Sequence, residues 1–245
     1  YDYVEFAGYF GHSADEVRAL LDQNGLECIS VHQVYDVFLE DEKTNIDFLK
    51  TIGAKFCAVP WMGVEKHAGH GQFDKTVEEF LTVGKALLAN GIQMLYHNHD
   101  FEFEKYEGKF LLDWLYDSVP ADLLKTELDT CWVRYAGQDP AEYLRKYTGR
   151  SPIVHLKDFV CKRLNAGAAY ALIDDEGKEQ KQETKEDNGF EFRPVGSGMQ
   201  DFPAILKAAE DAGADYVIVE QDQAPTATPM ESATMSREYL KSLGL

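Results

Sequence analysis

Ionisable side chains recur two residues apart at the ends of several short apolar runs. The pairs are His97 and His99, Glu127 and Asp129, His155 and Lys157, and Glu220 and Asp222. Side chains two apart on an extended strand point to the same face, so each pair is presented on one side. Imidazole and carboxylate groups drawn from separate elements suit Mn²⁺, Mg²⁺, Co²⁺ or Zn²⁺. The spacing therefore predicts a divalent-metal site, with paired packing residues as the alternative for any single pair.

The elements that would carry these pairs alternate between strands and helices. β-rich runs occupy 2–7, 27–32, 55–60, 92–98, 123–129, 152–157 and 215–221, and helical periodicity marks 14–24, 75–90 and 202–212. Helix starts carry capping signals, as at Ser13 with Glu16 and at Asp139-Pro140. With a further strand predicted at 192–195, this rhythm predicts an α/β fold, a single-domain (β/α)8 TIM barrel over 1–245. A polar segment at about 161–191 is predicted to be an insertion after strand six.

A barrel would bring the paired side chains together, because active sites form where its strands end. Burying so many ionisable groups around one mouth is costly without a compensating cation. The constellation thus favours a metal site over a purely structural network.

Charge and composition restrict the partners. The 245-residue chain has 24 Lys+Arg against 43 Asp+Glu, a net charge of −19. Such a chain repels nucleic acid, and it contains no apolar run long enough to span a bilayer. The cysteines are far apart and are expected to be reduced, buried thiols. We expect a cytoplasmic protein that acts on a small molecule, and a homo-oligomer stays open.

Four motifs resemble one known superfamily. They are YHNHDFEF at 96–103, LDT at 128–130, HLKD at 155–158 and VEQD at 219–222. They are similar to motifs of the sugar phosphate isomerase/epimerase superfamily, the xylose isomerase-like TIM barrels. That group includes ketose 3-epimerases, inosose dehydratases and, more distantly, apurinic endonucleases.

The resemblance implies one divalent ion, most often Mn²⁺, held by residues from four strands. Asp129, His155 and Glu220 match three of the family's ligands. The fourth, a Glu on strand four, is replaced by His97, so either His97 or His99 is the fourth ligand or the site is incomplete. Trp132 stands where ketose epimerases have a histidine.

The chemistry expected of such a site is proton abstraction next to a carbonyl through an enediolate. Glu220 is the predicted base as well as a ligand, Glu102 is a second acid or base candidate, and Lys157 would stabilise an oxyanion or pair with a carboxylate. Four further side chains are predicted to contact the substrate: His32, Trp61, Trp132 and Asp222. For Trp61 the alternative is a position in the hydrophobic core.

The expected function is a metal-dependent isomerase or epimerase of a keto sugar or related polyol. The first alternative is a lyase or dehydratase acting on an oxidised sugar or inosose with the same metal site. A non-catalytic sugar-binding barrel and an apurinic-endonuclease-type nuclease are further alternatives. Gly196-Ser197-Gly198 could receive a phosphate, but few cations lie nearby in sequence, so an unphosphorylated substrate is favoured.

Overall fold

A computed structural model describes residues 1–165 and 188–245 of the chain. Most of the polar insertion predicted at about 161–191 therefore lies outside the described residues. By its internal contacts the chain divides into two compact units. The first contains Tyr1–His97 and Lys105–Glu127, and the second contains Asn98–Glu104 and Leu128–Leu245. The single-domain assignment over 1–245 stays a prediction.

The first unit is built on a parallel sheet with helices between its strands. Its strands are β1 (Tyr3–Phe6), β2 (Glu27–His32), β3 (Phe56–Val59), β4 (Gln93–His97), β5 (Lys105–Tyr106), β6 (Lys109–Phe110) and β7 (Leu124–Asp129), of which residues 124–127 belong to this unit. Its helices are α1 (Ala14–Asn24), α2 (Asp36–Glu40), α3 (Glu42–Ile52), α4 (Phe73–Ala89) and α5 (Leu111–Ser118). Parallel pairing runs β1-β2-β3-β4-β7, while β5 and β6 form an antiparallel hairpin.

The register of this sheet brings particular strand ends side by side. His32 at the end of β2 pairs with Ala58 of β3, and His97 at the end of β4 pairs with Glu127 of β7. Burial of the apolar faces of α3 and α4, through residues such as Leu49 and Phe80, holds the helices in place. The sheet thus fixes the ends of β2, β4 and β7 along one edge of the unit.

The second unit contains shorter strands and the C-terminal helices. Its further elements are α6 (Thr130–Tyr135), α7 (Pro140–Lys146), β8 (Ile153–Leu156), β9 (Asp158–Val160), β10 (Glu191–Arg193), α8 (Phe202–Ala212), β11 (Tyr216–Val219) and α9 (Pro229–Ser242). β11 pairs parallel with β8, with His155 opposite Ile218. Buried rings of Trp132, Tyr135, Phe159, Phe190 and Phe192 pack with Cys131 into one cluster.

One predicted strand differs from the structure. The run at 192–195, expected to be a parallel barrel strand, overlaps β10, which pairs antiparallel with β9. Phe192 lies opposite Phe159 in that pair, and the ring of Phe159 stacks on Phe190. Aromatic packing between residues far apart in sequence accompanies this antiparallel pairing, and strand propensity does not contain that information.

Helix boundaries follow the sequence signals closely. Ser13 and Thr228 each form a capping box with the Glu three residues later, and Asp139 accepts hydrogen bonds from two N–H groups of α7. α1 ends at Gly25, whose φ of +64° is the left-handed conformation that glycine adopts without strain.

The structure bears on two further expectations, reduced cysteines and the absence of a membrane-spanning segment. All four cysteines are free thiols; Cys28, Cys57 and Cys131 are buried, whereas Cys161 is partly exposed. Across residues 1–165 and 188–245, none of the helices combines the length and the apolar character needed to cross a bilayer.

The buried imidazole of His67 predicts a loss of stability in acid. His67 is 2% exposed, and its burial lowers its pKa from 6.5 to about 4. Between these values the unfolded chain binds the proton and the folded chain does not, so stability falls as pH falls from 6.5 to about 4. We expect this group to contribute up to about 3 kcal/mol of that loss, measured by urea unfolding at several pH values.

His67→Gln should flatten the dependence of the free energy of unfolding on pH in this window. His70→Gln, which changes an exposed histidine of the same loop, is the control and should alter the slope only slightly, because the charge of His70 is the smallest cause of the lowered pKa of His67. An unchanged slope in His67→Gln would show that other groups cause the acid sensitivity.

Candidate functional site

The first unit holds a cluster of two histidines and two carboxylates at its strand ends. His32 Nε2 lies 3.1 Å from Glu5 Oε1 and 2.7 Å from Glu127 Oε2. The rings of His32 and His97 are 5.0 Å apart between centroids. Ligand atoms of His32, His97 and Glu127 lie within 4.8 Å of one another. β1, β2, β4 and β7 each contribute one side chain.

The two carboxylates decide the charge of His32. Burial lowers the pKa of its imidazole, but the charges of Glu5 and Glu127 outweigh burial and raise the pKa to about 10. His32 is therefore an imidazolium at neutral pH, held by ion pairs within the protein. Its predicted contact with substrate stays a prediction. Glu5 was not identified from the sequence, although an acidic residue within a short apolar strand is a signal of a buried charge.

The second unit holds a denser cluster around Lys157. Its ammonium Nζ lies 2.8 Å from Glu220 Oε2, 2.9 Å from Asp222 Oδ1 and 3.7 Å from Asp129 Oδ2. His155 Nδ1 lies 3.0 Å from the same Oε2 of Glu220. Asp129 ends β7, His155 belongs to β8, and Glu220 follows β11. Adjacent strand ends thus deliver the five side chains to one point.

Lys157 is a permanent cation in this setting. Burial lowers the pKa of its ammonium, but the charges of Glu220, Asp129 and Asp222 outweigh burial and hold the pKa well above its usual range. The ammonium also lies 5.1 Å from the ring centroid of Trp132, where the π face attracts a cation. Lys157 is therefore a cation placed to stabilise negative charge beside it.

Backbone contacts orient Asp129. Its own N–H donates to Asn98 Oδ1 at 3.0 Å, and Asn98 Nδ2 donates to its carbonyl at 3.3 Å. Asp129 Oδ1 accepts from the N–H groups of Cys131 and Trp132 at the start of α6. The other oxygen, Oδ2, faces Lys157. Asn98 lies between the two histidines of YHNHDFEF, but its link to β7 could not be predicted from the sequence.

The donor set of the second unit fits a divalent cation. Ligand atoms of Asp129, His155 and Glu220 lie within 4.8 Å of one another. Two ligands on opposite sides of one ion are at most about 4.4 Å apart at usual bond lengths, so small side-chain shifts suffice. The formal charges of Asp129, Glu220, Asp222 and Lys157 sum to −2 in a largely buried cluster, which is the charge that a divalent ion would neutralise.

Comparison with known proteins identifies the family of the chain. The xylose isomerase-like TIM barrel family matches residues 1–243. The chain belongs to this family. An inosose dehydratase from Clostridium perfringens is 30% identical over 223 residues, covering 82% of this chain and 70% of the relative.

Two solved structures share the fold. A sugar phosphate isomerase/epimerase from Parabacteroides distasonis superimposes with a TM-score of 0.72 at 22% identity, covering 98% of this chain and 83% of that one. The IolI protein with a bound zinc atom superimposes with a TM-score of 0.68 at 15% identity, covering 99% of this chain and 87% of that one. The prediction of an α/β TIM barrel and of this enzyme superfamily is confirmed.

Other predicted residues of this xylose isomerase-like barrel lie in varied surroundings. Trp132 is fully buried, and its ring stacks on Phe190 with centroids 5.6 Å apart. Trp61 is 54% exposed, which excludes the alternative of a core position. Glu102 is fully buried and accepts a hydrogen bond from the N–H of His99 at 2.8 Å. Their predicted roles in binding or catalysis stay predictions.

His97 and His99 belong to different units. His97 belongs to the first-unit cluster with His32 and Glu127. His99 belongs to the second unit, where its ring stacks on Phe101 with centroids 5.3 Å apart and lies 5.7 Å from Trp132. Which of the two is a ligand stays a prediction.

Removing the central cation should destabilise the protein. Lys157→Met leaves the carboxylates of Asp129, Glu220 and Asp222 facing one another, and we expect a loss of about 3–5 kcal/mol in chelator-treated protein at pH 7. Lys207→Met, which changes an exposed lysine of α8, is the control and should cost less than about 1 kcal/mol. Urea unfolding measures both. Parent-like stability of Lys157→Met would show that Lys157 does not compensate these charges.

Proposed function

We propose that this protein is a divalent-metal-dependent lyase that dehydrates an inosose or a closely related keto polyol. The observation that carries the proposal is the buried cluster of Asp129, His155 and Glu220 beside the cation of Lys157. The relative named inosose dehydratase supports the lyase alternative more than the isomerase expectation. Isomerisation uses the same proton abstraction, so analysis of the products separates the two reactions.

We propose Asp129, His155 and Glu220 as the residues that hold the metal. Two carboxylates and one imidazole suit Mn²⁺, Co²⁺, Mg²⁺ or Zn²⁺, and Mn²⁺ stays the predicted ion. A bound divalent ion would polarise the substrate carbonyl and so acidify the neighbouring C–H.

The side chains of this chain would supply the proton transfers and the fixed charge. Glu220 has a side chain that is 27% exposed, so its carboxylate is open to a ligand and is the proposed base for the proton next to the carbonyl. The ammonium of Lys157, 2.8 Å from Glu220, would stabilise the negative charge that develops on oxygen. The hydroxyl on the next carbon then leaves, and with the abstracted proton it makes one molecule of water.

Asp222 is proposed to hold Lys157 in place. Its Oδ1 lies 2.9 Å from Lys157 Nζ, on a side chain that is 34% exposed. This ion pair orients the ammonium, and the exposed part of the carboxylate is the proposed contact for a substrate hydroxyl.

The metal assignment predicts which substitutions lower metal content. After reconstitution with Mn²⁺, Co²⁺ or Zn²⁺ and desalting, elemental mass spectrometry should find about one ion per chain. Asp129→Asn and His155→Ala should each lower metal affinity by more than about 100-fold, since loss even of an outer partner costs 10–100-fold. Asp201→Asn, at the N-cap of α8, is the control. Full metal retention in both site variants would contradict the assignment.

The reaction itself predicts a change in mass. Incubation with an inosose should yield a product lighter by one water, which mass spectrometry detects. Glu220→Gln keeps the shape of the side chain but removes the base, so turnover should fall by at least about 10²-fold. A product of unchanged mass would assign the protein to isomerisation or epimerisation. Near-normal turnover of Glu220→Gln would move the role of base to another residue.

A further inference from the structure

The ammonium of Lys157 lies beside two aromatic rings as well as beside carboxylates. Its Nζ is 5.1 Å from the ring centroid of Trp132 and 5.2 Å from that of Phe192. Both distances are within the range of about 6 Å in which the face of an aromatic ring attracts a cation. All three side chains are buried, so little water weakens this attraction. Phe192 is thus a neighbour of the charged cluster that the pattern of ionisable residues does not indicate.

Strand pairing brings Phe192 to this position. Lys157 directly precedes β9, and Phe159, two residues further on, lies opposite Phe192 of β10. Opposite residues of an antiparallel pair point to the same face, and diagonal neighbours on that face are within reach of aromatic and long side chains. The ring of Phe192 therefore reaches the ammonium of Lys157 from the neighbouring strand.

The ring of Phe192 is itself held by other rings. It meets Phe190 edge-on with centroids 5.0 Å apart and Trp132 edge-on with centroids 6.0 Å apart. Edge-to-face packing is a favourable arrangement of aromatic pairs, and close packing on two sides restricts rotation of the ring. Phe192 therefore presents a fixed surface to Lys157.

The attraction of a ring differs from that of a carboxylate in one respect that matters for the proposed reaction. Glu220, the proposed base, lies 2.8 Å from Lys157 Nζ. When Glu220 accepts the proton from the substrate carbon, its carboxylate becomes neutral and this ion pair with Lys157 is lost. The face of the Phe192 ring keeps its partial negative charge throughout, since it takes no part in proton transfer.

We propose that Phe192 is a positioning residue, whose ring keeps the ammonium of Lys157 in place while Glu220 carries the abstracted proton. Negative charge then develops on the substrate oxygen, and a fixed charge stabilises it better than one that must first move into place. This inference rests on the proposed function, because it assigns Phe192 a part in the same reaction. Phe192 acts through Lys157 and does not itself contact the reacting atoms.

Fluorinated phenylalanines at position 192 test this role while nearly keeping the shape of the ring. Each added fluorine withdraws electrons from the ring face and weakens its attraction for a cation. With mono-, di- and trifluorophenylalanine in the Mn²⁺-reconstituted protein, kcat for an inosose should fall in steps, by about 3–10-fold with three fluorines. KM should change by less than about twofold, because the ammonium acts mainly in the transition state.

The same series at Phe190 is the matched control. Phe190 belongs to the same cluster, where its ring stacks on Trp132 with centroids 5.6 Å apart. Its fluorination should leave kcat within about twofold of the parent value. Equal falls in kcat at the two positions, or no fall with trifluorophenylalanine at position 192, would overturn the proposal.

A second readout does not depend on turnover. The ring of Phe192 should shift the proton NMR signals of the Lys157 side chain, which Lys157→Arg identifies by removing them. Phe192→Leu should move these signals toward the usual lysine positions, and Phe190→Leu should move them less than half as far. Unmoved signals in a folded Phe192→Leu variant would overturn the proposal, and the fluorinated series tests it if that variant does not fold. Failure of the proposed function would appear separately, as absence of inosose turnover in the parent protein with the NMR shifts still present.

Discussion

The burial of Lys157 among three carboxylates is the constraint on which the candidate site depends. An ammonium with 2% exposure is stable only if opposite charges surround it, and Asp129, Glu220 and Asp222 supply them at 2.8–3.7 Å. Those carboxylates exceed the single positive charge by two. The lysine therefore holds the carboxylates together, and the cluster keeps a net negative charge that a divalent cation would neutralise.

Three carboxylates of the second unit, those of Asp158, Asp129 and Glu220, have different partners. Asp158 is enclosed by backbone N–H groups, and such an arrangement satisfies its oxygens and leaves little for a ligand. Asp129 divides its oxygens, one facing the N–H groups of α6 and the other facing Lys157. Glu220 contacts the side chains of His155 and Lys157 and is partly exposed. Of the three, Glu220, the proposed base, is the most exposed.

Much of the fold could be predicted because its signals are local. The ranges 14–24, 27–32 and 202–212 agree with the bounds of α1, β2 and α8, where caps and periodicity coincide. The strand predicted at 192–195 as part of the barrel instead overlaps β10, which pairs antiparallel with β9 among aromatic residues that lie outside the run itself. Local patterns specify elements well, whereas the partner of a short strand is a tertiary property.

Part of the candidate site could be predicted from the alternation of side chains along strands. Residues two apart at a strand end share a face, and this rule indicated Asp129, His155, Lys157 and Glu220. The contacts of Glu5 with His32 and of Asp158 with the loop at 196–200 could not be predicted, because these partners lie 27 and 38 to 42 residues away in sequence. Contacts set by register and loop geometry leave little trace in a single sequence.

The most direct test of the central claim is deuterium exchange at the substrate carbon in heavy water. An inosose would be incubated with protein reconstituted with Mn²⁺ and with the same protein after chelation, and the deuterium at the carbon next to the carbonyl would be followed by NMR. If the protein is a metal-dependent dehydratase, exchange and loss of water occur only in the reconstituted protein. Exchange at the same rate after chelation, or its absence in metal-loaded protein, would contradict that claim.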